Sequence, residues 1–382
     1  MEHTHTRSDV VGPGSPPVEP DVVPDLRERP PVPRGLLAGV AVLLVLGGAG
    51  AIVRAPLHSI GPGPARDVLD MIQIRGAETH PSAGELLLTT ATVSGAPLNL
   101  WEVLWVWIDP GVGTTARHNV VQPGVTDDEQ SARNVFDMER SKLSAELAAF
   151  EALGTPATRI TGARVISLIE GGPSDGVLEP RDVLIEVRGR AVEGPGDVVD
   201  ALEGTSVGST AEVVFRRDGE QRAATITTGA ALDDPDRAVI GVFLGEAYRL
   251  PHEVEIDTQR IGGPSGGLVF ALSIVDVLTP EDLTRGHIIA ATGTIEVERG
   301  ADGSARIGVI GAVREKVQGA EAAGATVFVL PADEAEEARA LAPQGLIVLG
   351  VETLRDAIAQ LEALAPREAP GATGERAAGG SA

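Results

Sequence analysis

The chain of 382 residues contains no cysteine. Disulfides, zinc–thiolate sites and cysteine nucleophiles are therefore excluded, and covalent chemistry must use another group. Lysine is nearly absent as well, because only Lys142 and Lys316 are lysines among 31 basic residues. A GC-rich coding bias converts lysine to arginine wherever charge alone matters. Arginine keeps its proton at any usable pH, whereas a desolvated lysine can lose it, so the two survivors are candidates for chemistry. Aromatic residues make up only 3%, and the cores must be built from Val, Leu, Ile and Ala. Neither lysine follows a glycine or precedes Ser or Thr, so a phosphate-cradling P-loop and ATP-driven work by it are excluded. The net charge of −24 argues against nucleic acid as a partner, since phosphate binding needs clustered cations.

What is present divides into segments. Residues 1–33 are rich in proline and acidic residues without periodicity, and 366–382 in small residues; both read as disordered tails. Residues 35–53, GLLAGVAVLLVLGGAGAIV, are 19 uncharged residues between Arg34 and Arg54. At 1.5 Å per residue they cross a hydrocarbon core of ~30 Å. A buried helix and a signal peptide ending near Ala49-Gly50-Ala51 are the alternatives. Arg27, Arg29 and Arg34 outnumber Arg54 and Arg66 across the segment. That bias places the N-terminus in the cytoplasm and everything after residue 54 outside, with the bilayer contacted through 35–53.

Residues 55–155 mix strand and helix. ELLLTTATVSG (85–95) reads as strand, and LNLWEVLWVWIDPG (98–111) as a short apolar helix holding Trp101, Trp105 and Trp107. Those tryptophans either touch a membrane interface or pack into a small core. Thr126 and Glu129 fit a capping box opening a helix of about 25 residues, with Lys142 on its charged side beside Glu139 and Glu146, a solvated surface position.

Residues 156–230 alternate short β-rich runs with Gly/Pro turns and one helix, PGDVVDALEG. The run ARVISLIEGGPSDGVLEPRDVLIEVRG resembles a PDZ domain of the bacterial protease-associated type. The resemblance implies an extended peptide adding a strand beside a helix. It puts the groove between Val165–Leu168 and Val198–Leu202, with a terminal-binding loop at Thr161, Gly162 and Ala163.

Two stretches, GGPSDG (171–176) and GGPSGG (262–267), contain Gly-x-Ser-x-Gly. Ser174 lies between two strands with no long helix following, so it lacks the strand–turn–helix order of a nucleophile elbow and reads as a turn residue. Ser265 follows the strand HEVEID and precedes the apolar helix LVFALSIVDVL. It is either that helix's N-cap or a nucleophile whose oxyanion would meet the N–H groups of Gly263, Gly266 and Gly267.

A serine needs a base. His252 and His287 stand at poor spacings for any Ser-His arrangement, which leaves Lys316. Its helix is opened after Gly311 and closed by Gly324, and carries Val313, Val317 and Ala320 on one face toward which Lys316 can lean. At its ordinary pKa of ~10.4, fewer than about one lysine in a thousand is neutral at pH 7. Burial that lowers the pKa by ~2–3 raises that fraction to several per cent.

GPSGG with its helix, ATGTI (291–295) and IGVIGAVREKVQGAEAAG (307–324) resemble the proteolytic domain of Lon-type (S16) serine proteases. By that resemblance Ser265 is the nucleophile, Lys316 its base and Thr292 the residue holding the dyad. Gly266 stands where many relatives carry alanine, and Gly262 where many carry an acid. The order of tail, apolar segment, PDZ and Lon-type region resembles the membrane-anchored PDZ–Lon (YlbL-like) proteins of Gram-positive bacteria.

The expectation is therefore multidomain: a single transmembrane helix (35–53), a family-specific α/β segment (55–155), a β-rich PDZ domain (156–230) and an α+β Lon-type domain (237–365). The implied activity is ATP-independent serine endopeptidase action, without cofactor or metal, on flexible protein or peptide substrates near a bacterial plasma membrane. A homo-oligomer is within the implications, since Lon-type domains form rings. An inactive PDZ scaffold and a self-processing domain are the rival readings.

Overall fold

The computed structural model describes residues 34–109, 111–116, 127–258, 261–300 and 302–367. The expected tail at 1–33, positions 368–382 of the other tail, and Thr126 lie outside these residues. The chain divides into a unit ending at Val53 and one starting at Arg54. The first holds α1 (Arg34–Ile52), whose stretch Gly35–Ile52 is the one described helix long and apolar enough to cross a membrane. Only 6% of that stretch is buried, unlike a core helix. Its length, composition and place fit a membrane anchor or a signal sequence.

The second unit begins with β1 (Leu57–Pro62), β2 (Arg66–Asp67), β3 (Ile72–Arg75), β4 (Glu85–Leu88), β5 (Ala91–Val93), α2 (Leu100–Ile108), β6 (Gly113–Ala116) and α3 (Asp127–Ala152). Next come β7 (Thr158–Leu168), β8 (Val183–Val187), β9 (Arg190–Ala191), α4 (Pro195–Leu202), β10 (Thr210–Arg217) and β11 (Glu220–Thr227). β12 (Gly229–Ala230), β13 (Ala238–Val239) and β14 (Val242–Arg249) follow. The last part has β15 (Glu253–Ile256), α5 (Gly267–Leu278), β16 (Ile288–Ala291), β17 (Thr294–Arg299) and β18 (Ala305–Gly308). It ends with α6 (Val313–Ala322), β19 (Val327–Pro331), α7 (Ala335–Leu341), β20 (Ile347–Val351) and α8 (Leu354–Glu362).

β4, β16, β19 and β20 run parallel, and the short β2 lies antiparallel on the β4 edge. These strands are continuous apolar runs because both faces of the sheet are covered. Alternation sends Leu86, Leu88, Ile289, Ala291, Val327 and Val329 into one core and Leu87, Ala290, Phe328 and Leu330 into the other. α5 fills the first core and is buried from Gly267 to Asp276. Each large side chain there, such as Phe270 or Leu272, contributes about 1.5–3 kcal/mol by burial. α3 covers α5 with Met138, Ala145, Ala149 and Phe150. α6 and α7 close the opposite face through Val313, Val317, Ala320, Ala335 and Ala338. The expected α+β unit is therefore a layered α/β arrangement around a mostly parallel sheet.

Residues 55–155 do not stand apart from 237–365. β4 is an inner strand paired with β16, β3 pairs with β15, and α3 packs on α5. The segment between α3 and β15 forms a second sheet in the order β11-β10-β8-β7-β14, with α4 across it and its own core around Val165, Leu184, Val198 and Phe215. A third, small sheet, β5-β1-β6, carries α2. Asn99 opens α2 with a complete capping box: its Oδ1 accepts the N–H of Trp101 and Glu102, and Glu102 accepts the N–H of Asn99. The helix buries none of its residues, and Trp101, Trp105 and Trp107 are 50%, 69% and 86% exposed. Packing of these tryptophans into a small core is thereby overturned.

Candidate active site

Ser265 sits between the end of the 261–264 loop and the first turn of α5. The N-cap of α5 is Gly266, with no side-chain cap. Ser265 is thus not the N-cap that its position allowed, and its hydroxyl has no hydrogen-bond partner among the described residues. The backbone around it is held firmly. The Ser265 carbonyl accepts the N–H of Gly293 at 2.9 Å and the Thr292 hydroxyl at 3.3 Å, while the Gly293 carbonyl accepts the Leu268 N–H at 3.0 Å. From the other side, α3 grips the loop: the Asn134 carbonyl accepts the Gly263 N–H at 3.1 Å, and Ser141 Oγ donates to the Pro264 carbonyl at 2.8 Å.

Those bonds revise the oxyanion set. The Gly263 N–H is already engaged by Asn134, which removes it as a donor to substrate. Gly266 and Gly267 remain at the helix start. A Cβ on Gly266 would come within 2.7 Å of the Phe270 ring, so glycine suits this crowded position.

Lys316 lies in the first turn of α6 and is only 4% exposed. Its Nζ donates to Thr292 Oγ1 at 3.0 Å, and Thr292 in turn bonds the Ser265 carbonyl, so one hydroxyl bridges the lysine and the Ser265 loop. Burial pushes the lysine amine down to about 8, against a smaller opposing pull from the Glu334 carboxylate. Glu334 itself is tied to the Ile310 N–H at 3.1 Å. Lys316 bonds Thr292 and not Ser265, yet both side chains line one cleft of about 950 Å³. In enzymes generally, hydrogen bonds between catalytic groups are often long without substrate and tighten when it binds. Ala312, also on that cleft, adopts φ +61, a left-handed conformation rare outside glycine that costs of order 1 kcal/mol and fixes the start of α6.

The cleft has walls that sequence reading missed. Ile60, Ala91, Val93 and Thr115 come from the β5-β1-β6 sheet, and Thr89 and Thr90 from the end of β4. Thr89 is buried with no partner for its hydroxyl among the described residues. Nothing local marks these positions, because they reach the serine through long-range contacts: the pairing of β4 with β16, and the packing of β1 and β5 on α6.

The other sequence candidates separate cleanly. Ser174 is a buried turn residue whose hydroxyl bonds the Ile240 carbonyl, as a structural turn requires. His287 bonds Thr326 and the Ala365 carbonyl, and His252 leans on Phe150, so neither serves Ser265. Lys142 is not a solvated surface lysine: its side chain is 12% exposed and paired to Glu139 at 2.6 Å. Among the described residues no group of His, Cys, Asp and Glu could hold a metal.

The positions expected to bind a peptide do not lie on an open strand edge. Thr161, Gly162, Ala163 and Val165 lie inside β7, which pairs with β14 on one side and with β8 or its flanking loops on the other. A strand with both edges taken accepts no third. The sheet's outer strand on this side is β14, paired with β7 alone. Its Val242 and Leu244 share the core of α4 residues Val198 and Leu202. Gly241, at φ +74 and with no room for a Cβ beside Pro173, makes the turn into β14.

Residues 128–228 match the PDZ-domain family model. The PDZ domain of an SdrC-like protein from Listeria monocytogenes is 24% identical over 23% of this chain and 90% of its own, with a TM-score of 0.21. Its counterpart from Listeria innocua is also 24% identical, over 22% of this chain and 92% of its own, with a TM-score of 0.21. A Geobacillus thermodenitrificans protein is 24% identical over 22% of this chain and 95% of its own, with a TM-score of 0.20. No curated protein matches the chain. The protein contains a PDZ domain, a module that takes peptide or protein partners. The matched span begins in α3 and stops short of β14.

Proposed function

We propose that the protein is an ATP-independent, membrane-tethered serine endopeptidase facing outward from a bacterial plasma membrane. The observation that carries the reading is the joint placement of Ser265 and buried Lys316 on one cleft, bridged by Thr292. The resemblance of GPSGG, ATGTI and the α6 region to Lon-type proteases supports it. In this reading neutral Lys316 takes the Ser265 proton as Oγ attacks the peptide carbonyl carbon. The N–H groups of Gly266 and Gly267 receive the oxyanion. The C–N bond then breaks, Lys316 returns the proton to the leaving amine, and water hydrolyses the acyl-serine with Lys316 again as base. α1 is the tether, and the PDZ domain presents flexible chains along β14.

A fluorophosphonate probe tests the nucleophile on the full chain in detergent. We expect one labelled serine, Ser265, and loss of label in Ser265→Ala. A wild-type chain that takes no label, and cleaves no added unstructured polypeptide, defeats the proposal in favour of a binding scaffold. Cleavage confined to the chain itself would indicate self-processing.

The groove assignment carries its own expectation. An apolar peptide bearing a photo-crosslinker should attach within residues 242–249 or on α4. Attachment centred on 161–165 would contradict the β14 assignment.

A further inference from the structure

α2 leaves six large apolar side chains largely in solvent: Leu100, Trp101, Leu104, Trp105, Trp107 and Ile108. Val103 and Val106 turn toward the protein and are half-buried. An apolar patch of this kind on a stable protein marks a contact surface. Its composition narrows the partner, since tryptophans with leucine on one short helix, carrying a single charge at Glu102, suit the headgroup–acyl boundary of a bilayer.

The position of α2 decides between a membrane and another protein. Arg54 forms a β-bridge with Asn99, the N-cap of α2. The Ala55 N–H donates to the Leu98 carbonyl at 2.8 Å, Arg54 Nη1 donates to the Pro97 carbonyl at 2.9 Å, and Arg54 faces Glu102 at 3.6 Å. Arg54 is the second residue after Ile52, the end of α1. At 3.8 Å per residue, chain connectivity keeps Arg54 within roughly 8 Å of that end. If α1 spans a bilayer, the start of α2 is pinned where the chain leaves it.

We infer that α2 is an interfacial helix that lies on the same bilayer α1 crosses, with Trp101, Trp105 and Trp107 inserted at headgroup level. This rests on reading α1 as a membrane span and adds a second contact to it. α2 rides on the β5-β1-β6 sheet, whose Ile60, Ala91, Val93 and Thr115 form one wall of the serine cleft. The contact therefore holds that wall close to the lipid surface, where the cleft meets polypeptide segments emerging from or lying along the membrane.

The chain's three tryptophans all lie on α2, so tryptophan emission reports this helix alone. The full chain is reconstituted into vesicles of phosphatidylcholine and phosphatidylglycerol with or without brominated acyl chains. We expect brominated lipid to quench emission roughly twofold or more, and aqueous iodide to quench it weakly. Leu104→Glu keeps all three reporters on an exposed face and should lose most of the lipid quenching. Chain that resists alkaline carbonate but is quenched by iodide and not by lipid overturns the inference while leaving the span reading intact. Tryptophans shielded from both quenchers also overturn it, in favour of a protein contact. Chain released by carbonate overturns the span reading, and the inference with it.

Discussion

Lys316→Met should lower peptide cleavage and probe labelling at neutral pH by roughly 10²–10⁴-fold, the range spanned by a positioned general base, while making the protein more stable. The two effects have one cause. The Lys316 side chain is buried against Val313, Val317 and the sheet, and its amine is pushed down to about 8 by that burial. At pH 7 the lysine carries its proton in both folded and unfolded chains, so the fold bears the full cost of a buried charge. The drop from an ordinary 10.5 to about 8 corresponds to about 3 kcal/mol at most. Methionine has similar volume and no charge, and Thr292 Oγ1 still donates to the Ser265 carbonyl. A gain of roughly 2 kcal/mol is expected, read from denaturant unfolding of the full chain in detergent.

The pH dependence fixes the sign. Between about pH 8 and 10.5 the unfolded chain holds a proton that the folded chain has lost, so wild-type stability rises through this window. The rise should be missing in Lys316→Met. Activity should climb through about pH 8 as the amine becomes free, and level off above it. Lys316→Arg keeps the charge but supplies no base, so it should be as inactive as the methionine variant without its stability. An arginine variant cleaving at the wild-type rate would falsify the mechanism.

The sequence marked the residues of the candidate site better than the architecture that surrounds them. Ser265 and Lys316 were legible because each is marked locally, by glycines before an apolar helix and by an isolated lysine on a half-apolar one. The bounds of α3 and α6 followed from periodicity and glycine placement. Strand neighbours are not local. Nothing in TRITGARVISL says that the distant β14 takes one edge of β7, so the expected groove positions fall on a strand whose edges are both paired. The same limit hid the role of 55–155. Alternation in ELLL marks a strand but not its parallel partner β16, and the cleft wall at Thr89–Val93 depends on that pairing. The solvated position expected for Lys142 fails for a related reason. Its charged helix face looks solvated by periodicity, yet the second sheet and β15 come down over it.

That covered face makes the other large prediction. Glu146 is 2% exposed on α3 and shares a polar cavity of about 310 Å³ with Glu139, Lys142, Arg164, Arg181 and Glu253. Its Oε1 stands 3.6 Å from Arg181, and its Oε2 has no hydrogen-bond partner among the described residues. Burial pushes its carboxyl up to about 7, with Arg164 and Arg181 pulling the other way but losing. A carboxyl raised above its ordinary 4.5 binds a proton in the fold that the unfolded chain has released. Stability from this group is therefore full below about pH 4.5, falls as pH rises to about 7, and then stays low. Glu146→Gln keeps the shape of the protonated acid and cannot ionise. At pH 8 it should be more stable than wild type by roughly 1–3 kcal/mol, and at pH 4.5 equal to it. Glu146→Ala should not reproduce this, because it opens a cavity and leaves Arg164 without its nearest buried carboxyl. If glutamine proves destabilising at pH 8, the arginines outweigh burial, and the cluster is an ion pair joining α3 to the second sheet instead of a buried acid between them.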